Sequence, residues 1–379
     1  MAWRLGLTSF GGPIAHIGHF RTEYVERREW LDERDFAELV ALTSLLPGPS
    51  SSQLGIAIGA RRAGHLGGLA AWLGFTVPSA LAMTALALVV GEADVGDAGW
   101  IKGLELVAVP VVALAVLAMR RTLAPNASRL ALAAIGAVLV LGGGGFSGQA
   151  AALAAGAIVG VLAFTPPVPE PAPILQLGRR TLVALGCLAT LVALLVGLPL
   201  LRDATGSQAV ALVDAMFRSG SLVFGGGHVV LPLLDQAVVD PGWVGEEQFL
   251  AGYGLVQAMP GPLLTFSAYL GAIQDPEPNG LAGASLAVMA IFLPSFLLLG
   301  GVLPLWSVVR RSPVVRGALV GVGAAVVGLL AAALVDPVVS TSIDGGRDVA
   351  FAAGILLLLR FVPIWAVVPL AAAGGALLL

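Results

Sequence analysis

The stretch Leu45-Leu46-Pro47-Gly48-Pro49-Ser50-Ser51-Ser52-Gln53 decides how this chain folds, because it breaks an apolar segment near its centre. Proline removes a backbone donor and glycine relaxes the backbone, so one half-helix must end here and another must begin. A second copy of the break occurs at Ala258-Met259-Pro260-Gly261-Pro262. Two copies in one chain indicate a feature of the fold rather than an accidental kink.

The composition predicts an all-α polytopic membrane protein. Of 379 residues, 58% are hydrophobic and only 11% are charged, whereas about a quarter of residues are charged in soluble domains. Alternation of period two, the mark of barrel strands, is absent, so we expect helices in a plasma membrane, the inner membrane of a bacterium. Five charge-free runs meet or approach the roughly 20 residues of a spanning helix: 67–91, 130–169, 181–201, 281–309 and 361–379.

The same composition argues against several classes of protein. The net charge of −3, with no dense cluster of Lys and Arg, gives no reason to expect a nucleic-acid partner. Cys187 is the single cysteine, so neither a disulfide framework nor a thiolate metal site is available. No Walker loop is present, and the start has no signal-peptide pattern. We therefore expect no enzymatic chemistry, no cofactor, no metal centre and no drive by ATP.

An internal repeat organises the chain. Markers of the first half recur in the same order in the second half, which predicts an N-terminal repeat (1–165), a linker with one transmembrane helix (166–203) and a C-terminal repeat (204–379). The first set is Arg4, Phe10-Gly11-Gly12, Trp30, Phe36, Pro47-Gly48-Pro49, Pro78-Ser79 and Lys102-Gly103. The second set is Arg218, Phe224-Gly225-Gly226, Trp243, Phe249, Pro260-Gly261-Pro262, Pro294-Ser295 and Arg316-Gly317.

Loop charges predict that the two repeats are inverted in the membrane. Lys and Arg mark cytoplasmic loops, and equivalent loops of the two repeats carry opposite signs. Inversion requires an odd number of crossings between the repeats, and the run 181–201 supplies the odd one. Basic loops of the first repeat contain Arg21, Arg27, Arg28, Arg34, Arg61, Arg62, Arg120 and Arg121, and their acidic counterparts contain Asp235, Asp240, Glu246, Glu247, Asp275, Glu277 and Asp336.

The basic residues also bear on the shape of the first break. Arg34 and Arg61 flank it, and both have the sign of cytoplasmic residues. The segments 35–46 and 49–60 are about 18 Å long each, too short to span alone. This favours a helical hairpin that enters and leaves by one face. A single broken crossing helix is the alternative.

Each break creates a helix N-terminus with unpaired N–H groups and the positive end of a dipole, which suits an anion. After the first Pro-Gly-Pro, Ser50, Ser51, Ser52 and Gln53 add hydroxyl and amide donors. The residues after the second are apolar at first and polar only later. The first repeat therefore has the richer ligand side.

Glycine breaks and two arginines complete the predicted site. Arg4 and Arg218 precede the two glycine breaks, and an arginine fork fits oxyanions, so the pair predicts a site for a dianion. Discontinuous helices in inverted repeats are typical of secondary transporters. The predicted substrate-binding residues are Arg4, Gly11, Gly12, Pro47, Gly48, Pro49, Ser50, Ser51, Ser52, Gln53, Arg218, Gly225, Gly226, Gly227, Pro260, Gly261 and Pro262.

Several charged and titratable residues also have less specific explanations. Arg4 could extend to a lipid headgroup, and Arg218 follows Asp214 at the spacing of a structural ion pair. His16 and His228 neighbour the glycine breaks and are candidates for carrying protons, with packing or interfacial roles as the alternative. Lys102 and Glu105, one helical turn apart, are expected to neutralise each other.

These motifs resemble the chromate ion transporter family in its long, two-domain form. The resemblance covers almost the whole chain, and the fixed order of several motifs makes it specific. It rests on Leu7-Thr8-Ser9-Phe10-Gly11-Gly12-Pro13-Ile14-Ala15-His16, Leu46-Pro47-Gly48-Pro49, Phe224-Gly225-Gly226-Gly227 followed by Pro232, and Gln257-Ala258-Met259-Pro260-Gly261-Pro262. It implies a plasma-membrane carrier that expels chromate, responds to sulfate as a look-alike dianion and is driven by the proton motive force. The triple serine and the few residues before Arg4 depart from the family pattern.

The sequence thus predicts a secondary transporter of an oxyanion, with chromate efflux as the first hypothesis and sulfate as a competing dianion. A sulfate or other oxyanion permease, a passive anion channel and a non-transporting scaffold are the alternatives. The expected partners are the oxyanion and the lipid bilayer, and a homodimer is compatible with the sequence.

Overall fold

A computed structural model of the chain describes residues 1–10, 12–92, 99–143, 145–164, 178–223, 230–309 and 312–378. All regular secondary structure in these ranges is helical, which confirms the all-α prediction. Six residues singled out from the sequence lie outside the described residues: Gly11, Phe224, Gly225, Gly226, Gly227 and His228.

The helices follow the repeat. Those of the first half are α1 (Ala2–Thr8), α2 (Gly12–Arg21), a π-helix (Thr22–Arg27), α3 (Glu33–Leu45), α4 (Ser50–Glu92), α5 (Gly99–Leu123), α6 (Ala127–Gly143) and α7 (Gly145–Ala163), and α8 (Arg179–Thr205) then leads to the second half. Those of the second half are α9 (Gln208–Leu222), α10 (Val230–Val238), α11 (Glu246–Gln257), a 3-10 turn (Leu263–Thr265), α12 (Phe266–Ile273), α13 (Gly280–Val302), α14 (Trp306–Val309), α15 (Pro313–Ala333), a π-helix (Leu334–Val339), α16 (Ser340–Ser342), α17 (Gly346–Leu358) and α18 (Ile364–Leu378).

Five helices of the described residues are long and apolar enough to cross a bilayer, as expected for a polytopic membrane protein. They are Ser50–Val89, Gly99–Leu123, Arg179–Thr205, Gly280–Val302 and Pro313–Ser342. Shorter apolar helices, including Ala127–Gly143 and Ile364–Leu378, accompany them. The charge-free run 130–169 contains two helices, α6 and α7, because a run of glycines at 142–145 interrupts it.

The first Pro-Gly-Pro segment turns a hairpin. Arg61 donates a hydrogen bond to Asp35 over 2.7 Å, whereas one straight helix would hold these residues roughly 39 Å apart. α3 and the start of α4 therefore run antiparallel on either side of the break. The hairpin, and not the single broken helix, is the arrangement formed.

The second Pro-Gly-Pro segment turns a matching hairpin. The Tyr269 hydroxyl on α12 donates to the carbonyl of Gln248 on α11 over 3.0 Å. The rings of Phe249 and Phe266 pack with centroids 5.2 Å apart. Both repeats thus contain a pair of short antiparallel helices around a Pro-Gly-Pro turn.

The chain also reverses direction between α1 and α2, and again between α9 and α10. Arg4 on α1 lies 2.6 Å from Glu23, beyond the end of α2, and Ser219 on α9 lies 3.4 Å from the carbonyl of Leu233 on α10. Neither contact is within reach of a straight helix at 1.5 Å per residue. Each repeat therefore begins with two successive hairpins.

A further turn follows the Pro-Gly-Pro hairpin in each repeat. α4 is interrupted at Ala63 and Gly64, where Gly64 has φ +65°, so that its second part returns and Gly59 lies against Gly67. In the second repeat Gly271 on α12 lies against Gly283 on α13 in the same way. Only residues without a side chain allow helices to approach this closely.

The long helices pack reciprocally between the repeats. α5 of the first repeat packs on α17 and α18 of the second, while α15, the counterpart of α5, packs on α6 and α7 of the first. Glycines line both interfaces: Gly103 meets the backbone of Ala371, and Gly321 meets that of Gly156. The two repeats therefore form one bundle in which each covers the long helices of the other.

This architecture makes inverted topology testable. With each hairpin returning to its own face, α4 to α8 supply the odd number of crossings that inversion needs, and we propose that the repeats are inverted. Single cysteines at the exposed positions Arg61 and Asp275, in a Cys187→Ala background, should then react with a membrane-impermeant thiol reagent from opposite sides of the membrane. Cysteines at Arg34 and Arg61 should react from one side. Labelling of Arg61 and Asp275 positions from the same side would contradict inversion.

Candidate functional site

The breaks of the two repeats meet crosswise. The N–H of Gly48, in the first Pro-Gly-Pro, donates to the carbonyl of Val223, which precedes the second glycine break, over 2.6 Å. The N–H of Gly261, in the second Pro-Gly-Pro, donates to the carbonyl of Ser9, which precedes the first glycine break, over 2.9 Å. Four interruptions of helical structure are therefore joined in two pairs, and each pair spans both repeats.

Two further serines close on these glycines from opposite repeats. Gly48 has φ +117° and Gly261 has φ +95°, which only glycine adopts without strain. A Cβ on Gly48 would lie 2.9 Å from Oγ of Ser295, and one on Gly261 would lie 2.8 Å from Oγ of Ser79. Each serine follows a helix proline, Pro78 or Pro294. The contact is reciprocal, as expected for repeats related by a pseudo-two-fold axis.

The first turn of α4 brings polar groups into the interior. Gln53 N–H is the first here to donate back along the helix, to the Pro49 carbonyl over 2.9 Å, so the N–H groups before it have no acceptor within the helix. Ser51, Ser52 and Gln53 are only 3%, 2% and 0% exposed. Oγ of Ser52 and Oε1 of Gln53 have no hydrogen-bond partner among the described residues.

Gln53 also links the break to the other repeat. Its Nε2 donates to the Pro47 carbonyl over 2.6 Å and lies 3.5 Å from Oγ of Ser295 on α13. The first contact fixes the side chain, because the carbonyl can only accept and must therefore face the amide NH₂. The buried Oε1 is then held in place as an acceptor beside the new helix N-terminus.

The equivalent turn of the second repeat uses its polar groups differently. Leu263 and Leu264 occupy its first positions. The hydroxyl of Thr265 donates to the Pro262 carbonyl over 2.7 Å, and that of Ser267 donates to the Leu264 carbonyl over 2.8 Å. A hydroxyl that donates to its own backbone has no hydrogen left to donate to an anion. The chemical asymmetry expected from the sequence is thus present in the fold.

A second group of buried polar atoms surrounds the first glycine break. His16 Nε2 lies 3.1 Å from the Ser9 carbonyl, and because a carbonyl only accepts, Nε2 carries a hydrogen. Nδ1 of His16, Oγ of Ser9 and Oγ1 of Thr76 are buried and have no hydrogen-bond partner among the described residues. The second ring nitrogen of His16 therefore lies in the interior, close to the Ser9 carbonyl that accepts the Gly261 N–H.

The two symmetric arginines are each held by a buried carboxylate. Arg4 pairs with Glu23, which also holds Arg28 over 2.9 Å, and the Arg4 side chain is 58% exposed. Arg218 pairs with Asp214 over 2.7 Å, the structural ion pair that the spacing predicts. A cavity of about 360 Å³ adjoins Arg218, and Arg202 also reaches Asp214 there, over 3.1 Å.

Loops of the second repeat place carboxylates close together. Burial raises the pKa of Asp240, and the neighbouring carboxylates of Asp336 and Glu246 raise it further. Loops of the first repeat instead carry arginine networks, in which Arg21 contacts both Glu26 and Glu33. The described loops of the two repeats therefore differ in charge.

The structure thus joins one part of the predicted site and leaves another apart. Both Pro-Gly-Pro segments lie where the two repeats cross. The polar turn that follows the first Pro-Gly-Pro segment lies there too. Arg4 and Arg218 precede the glycine breaks by more than one helical turn of sequence, and each forms an ion pair with a carboxylate. Sequence reasoning missed Ser9, Thr76, Ser79 and Ser295, although the repeated Pro-Ser pair was a signal for the last two.

A duplicated helical bundle with four broken segments packed between its repeats is the architecture of a membrane transporter. The chain belongs to the chromate transporter family, whose sequence description matches residues 1–165 and 210–377. It is similar to a chromate transport protein of Pseudomonas aeruginosa, with 30% identity over 88% of this chain and 78% of that protein. A chromate transport protein of Cupriavidus metallidurans is 26% identical over 99% of this chain and 90% of its own length. No solved structure matches the chain.

The crossing of the breaks predicts a specific effect of Gly48→Ala. A non-glycine residue with left-handed φ costs about 1–2 kcal/mol, and the new Cβ would also press on Ser295 and Gln53. Thermal unfolding of the purified protein, followed by tryptophan fluorescence, should therefore occur at lower temperature. Gly64→Ala is the matched control, because Gly64 also has positive φ but nothing lies within 4 Å of its Cβ position. An equal decrease in unfolding temperature in both variants would show that the crossing of the breaks is not tightly packed.

Proposed function

We propose that the protein is a secondary transporter that carries chromate out of the cell across the plasma membrane, with sulfate as a competing dianion. The observation that carries the proposal is the buried first turn of α4, where Ser51, Ser52 and Gln53 surround a helix N-terminus at the contact between repeats. The family and the relatives named chromate transport protein support the choice of anion.

The chemistry of this turn suits a tetrahedral dianion. Backbone N–H groups and the helix dipole attract negative charge, and serine hydroxyls can rotate to donate to oxygens at different positions. The surroundings are buried, so each such hydrogen bond acts in a medium of low dielectric constant. Chromate and sulfate share charge and shape, which makes competition between them the natural expectation for this site.

Burial also favours a carrier over a passive channel. Gly48, Pro49, Gly261 and Pro262 are all buried, so protein covers the breaks instead of leaving them on an open water-filled path. A bound anion would then leave only when the crossing contacts rearrange. The bonds from Gly48 to Val223 and from Gly261 to Ser9 are the contacts that such a movement of one repeat against the other must change.

The transport proposal is tested by flux into inside-out membrane vesicles. Labelled chromate should accumulate against its gradient, excess sulfate should reduce the uptake, and a protonophore should abolish the accumulation. Vesicles without the protein are the control. Passive equilibration insensitive to the protonophore would support an anion channel, transport of sulfate without chromate would support a sulfate permease, and no flux of either anion would contradict the proposal.

Two sets of substitutions separate side-chain donors from backbone donors. Ser51→Ala with Ser52→Ala removes hydroxyls and keeps the break, so binding should weaken by about 0.5–1.5 kcal/mol for each hydrogen bond lost. Pro47→Ala with Pro49→Ala lets the helical ladder close through the break, which hides the backbone donors and should abolish transport. Binding is measured by calorimetry with chromate and sulfate, and transport by vesicle flux.

The second repeat supplies the matched control for these variants. Leu263→Ala with Leu264→Ala removes side chains that donate nothing, so anion affinity should change little. Normal transport by the variant without Pro47 and Pro49 would make the break a packing feature, and the anion site would have to lie elsewhere.

A further inference from the structure

One carboxylate on a membrane-spanning helix has no part in the site described above. Glu105 lies in the second turn of α5, and its side chain is only 3% exposed. Its Oε2 atom is buried and has no hydrogen-bond partner among the described residues. Ionised groups are costly in such surroundings unless they are fully paired, and in membrane proteins they mark pathways of ions or protons.

A neighbouring cation balances this carboxylate only partly. Nζ of Lys102 lies 3.7 Å from Oε2 of Glu105 but 2.6 Å from Oδ2 of Asp344. Lys102 is therefore hydrogen-bonded to Asp344, and the mutual neutralisation expected from the sequence is incomplete.

The side chains of Asp344, Lys102 and Glu105 are progressively less exposed to solvent. Asp344 is 74% exposed, Lys102 25% and Glu105 3%. Other elements add negative charge, since the carboxylate of Glu247 on α11 also acts on Glu105, and Asp348 on α17 acts on Lys102. Of the other elements that pack on α5, α16 and α18 contain no titratable residue, whereas α15 contains Arg316 and the π-helix Leu334–Val339 contains Asp336.

The second repeat shows that the fold does not need a carboxylate at this position. Lys102-Gly103 corresponds to Arg316-Gly317, so Glu105 corresponds to Leu319 on α15. α5 and α15 make equivalent contacts with helices of the opposite repeat. A leucine serves in one copy, so the glutamate in the other requires a reason other than packing.

We propose that Glu105 is a proton-binding site, loaded from the acidic face of the protein past Asp344 and Lys102. A proton from water on that face converts the Glu105 carboxylate into a carboxylic acid, while Lys102 stays on Asp344. When the proton leaves, the carboxylate regains the partial charge balance from Lys102. Its role in coupling anion transport rests on the function proposed above, whereas proton binding does not.

Proton binding is tested on the purified full chain by infrared titration. Lowering the pH should produce a carbonyl band from buried carboxylic acids in the unmodified protein, and Glu105→Gln should remove one component of that band. Asp348→Asn is the matched control, because it removes a second buried carboxylate, one that accepts N–H bonds from Asp344 and Gly345 over 2.9 and 3.1 Å, and the band should remain in this variant. An identical band in the Glu105→Gln variant would overturn the proposal.

Lys102→Met gives an independent test that keeps Glu105 in place. Loss of the positive charge favours the neutral acid, so the band should develop at higher pH. A titration unchanged by Lys102→Met would contradict the proposed arrangement.

The coupling role is tested in proteoliposomes. Glu105→Gln should exchange chromate for sulfate yet lose the stimulation of chromate flux by a pH gradient, and Glu105→Asp should regain part of it. An undiminished response in Glu105→Gln would overturn the coupling role. If the unmodified protein moves no chromate while its infrared band titrates as expected, the proposed function fails and the proton site stands.

Discussion

Backbone groups that leave a helix inside a membrane must find partners within the protein, because lipid offers none. The two Pro-Gly-Pro segments meet this constraint across the repeats. Gly48 bonds to Val223 and Gly261 bonds to Ser9, so each repeat satisfies the interrupted backbone of the other. The reciprocal packing of α5 and α15 follows the same pattern at larger scale. The fold is therefore a property of the pair of repeats and not of either repeat by itself.

Within this shared scaffold the two repeats have diverged in chemistry. Ser52 and Gln53 stand where the second repeat has Thr265 and Phe266, and Glu105 stands where it has Leu319. Positions that shape the backbone are kept in both copies, whereas most of the buried polar atoms without a hydrogen-bond partner among the described residues lie in the first. On the function proposed above, a symmetric framework would expose the site to either side, and one set of ligands would suffice for the anion.

Features that depend on local chemistry could be predicted from the sequence. Helix breakers locate the turns, and the spacing of Asp214 and Arg218 fits the ion pair that they form, which the sequence offered as the alternative to a substrate-binding role for Arg218. The sequence favours the hairpin over a single broken helix. The contact that distinguishes the two arrangements joins Asp35 and Arg61, which are distant in sequence, so only the tertiary structure shows it. Contacts between the two repeats could not be predicted from the sequence for the same reason.

The partner of Lys102 illustrates the limit most clearly. A spacing of one helical turn favoured Glu105, but Asp344, far along the chain, lies nearer to its ammonium group. Local spacing cannot rank a distant competitor that only the tertiary fold brings close. The incomplete balance of Glu105 was therefore invisible in the sequence.

The central claim is that the anion binds at the first turn of α4, where the repeats cross. The most direct measurement is a cryo-electron microscopy structure of the protein in lipid nanodiscs with chromate at saturating concentration. The account predicts tetrahedral density within hydrogen-bond distance of the N–H groups of Ser51 and Ser52. Density beside Arg202 and Arg218 instead, with the turn after Pro49 unoccupied, would contradict it.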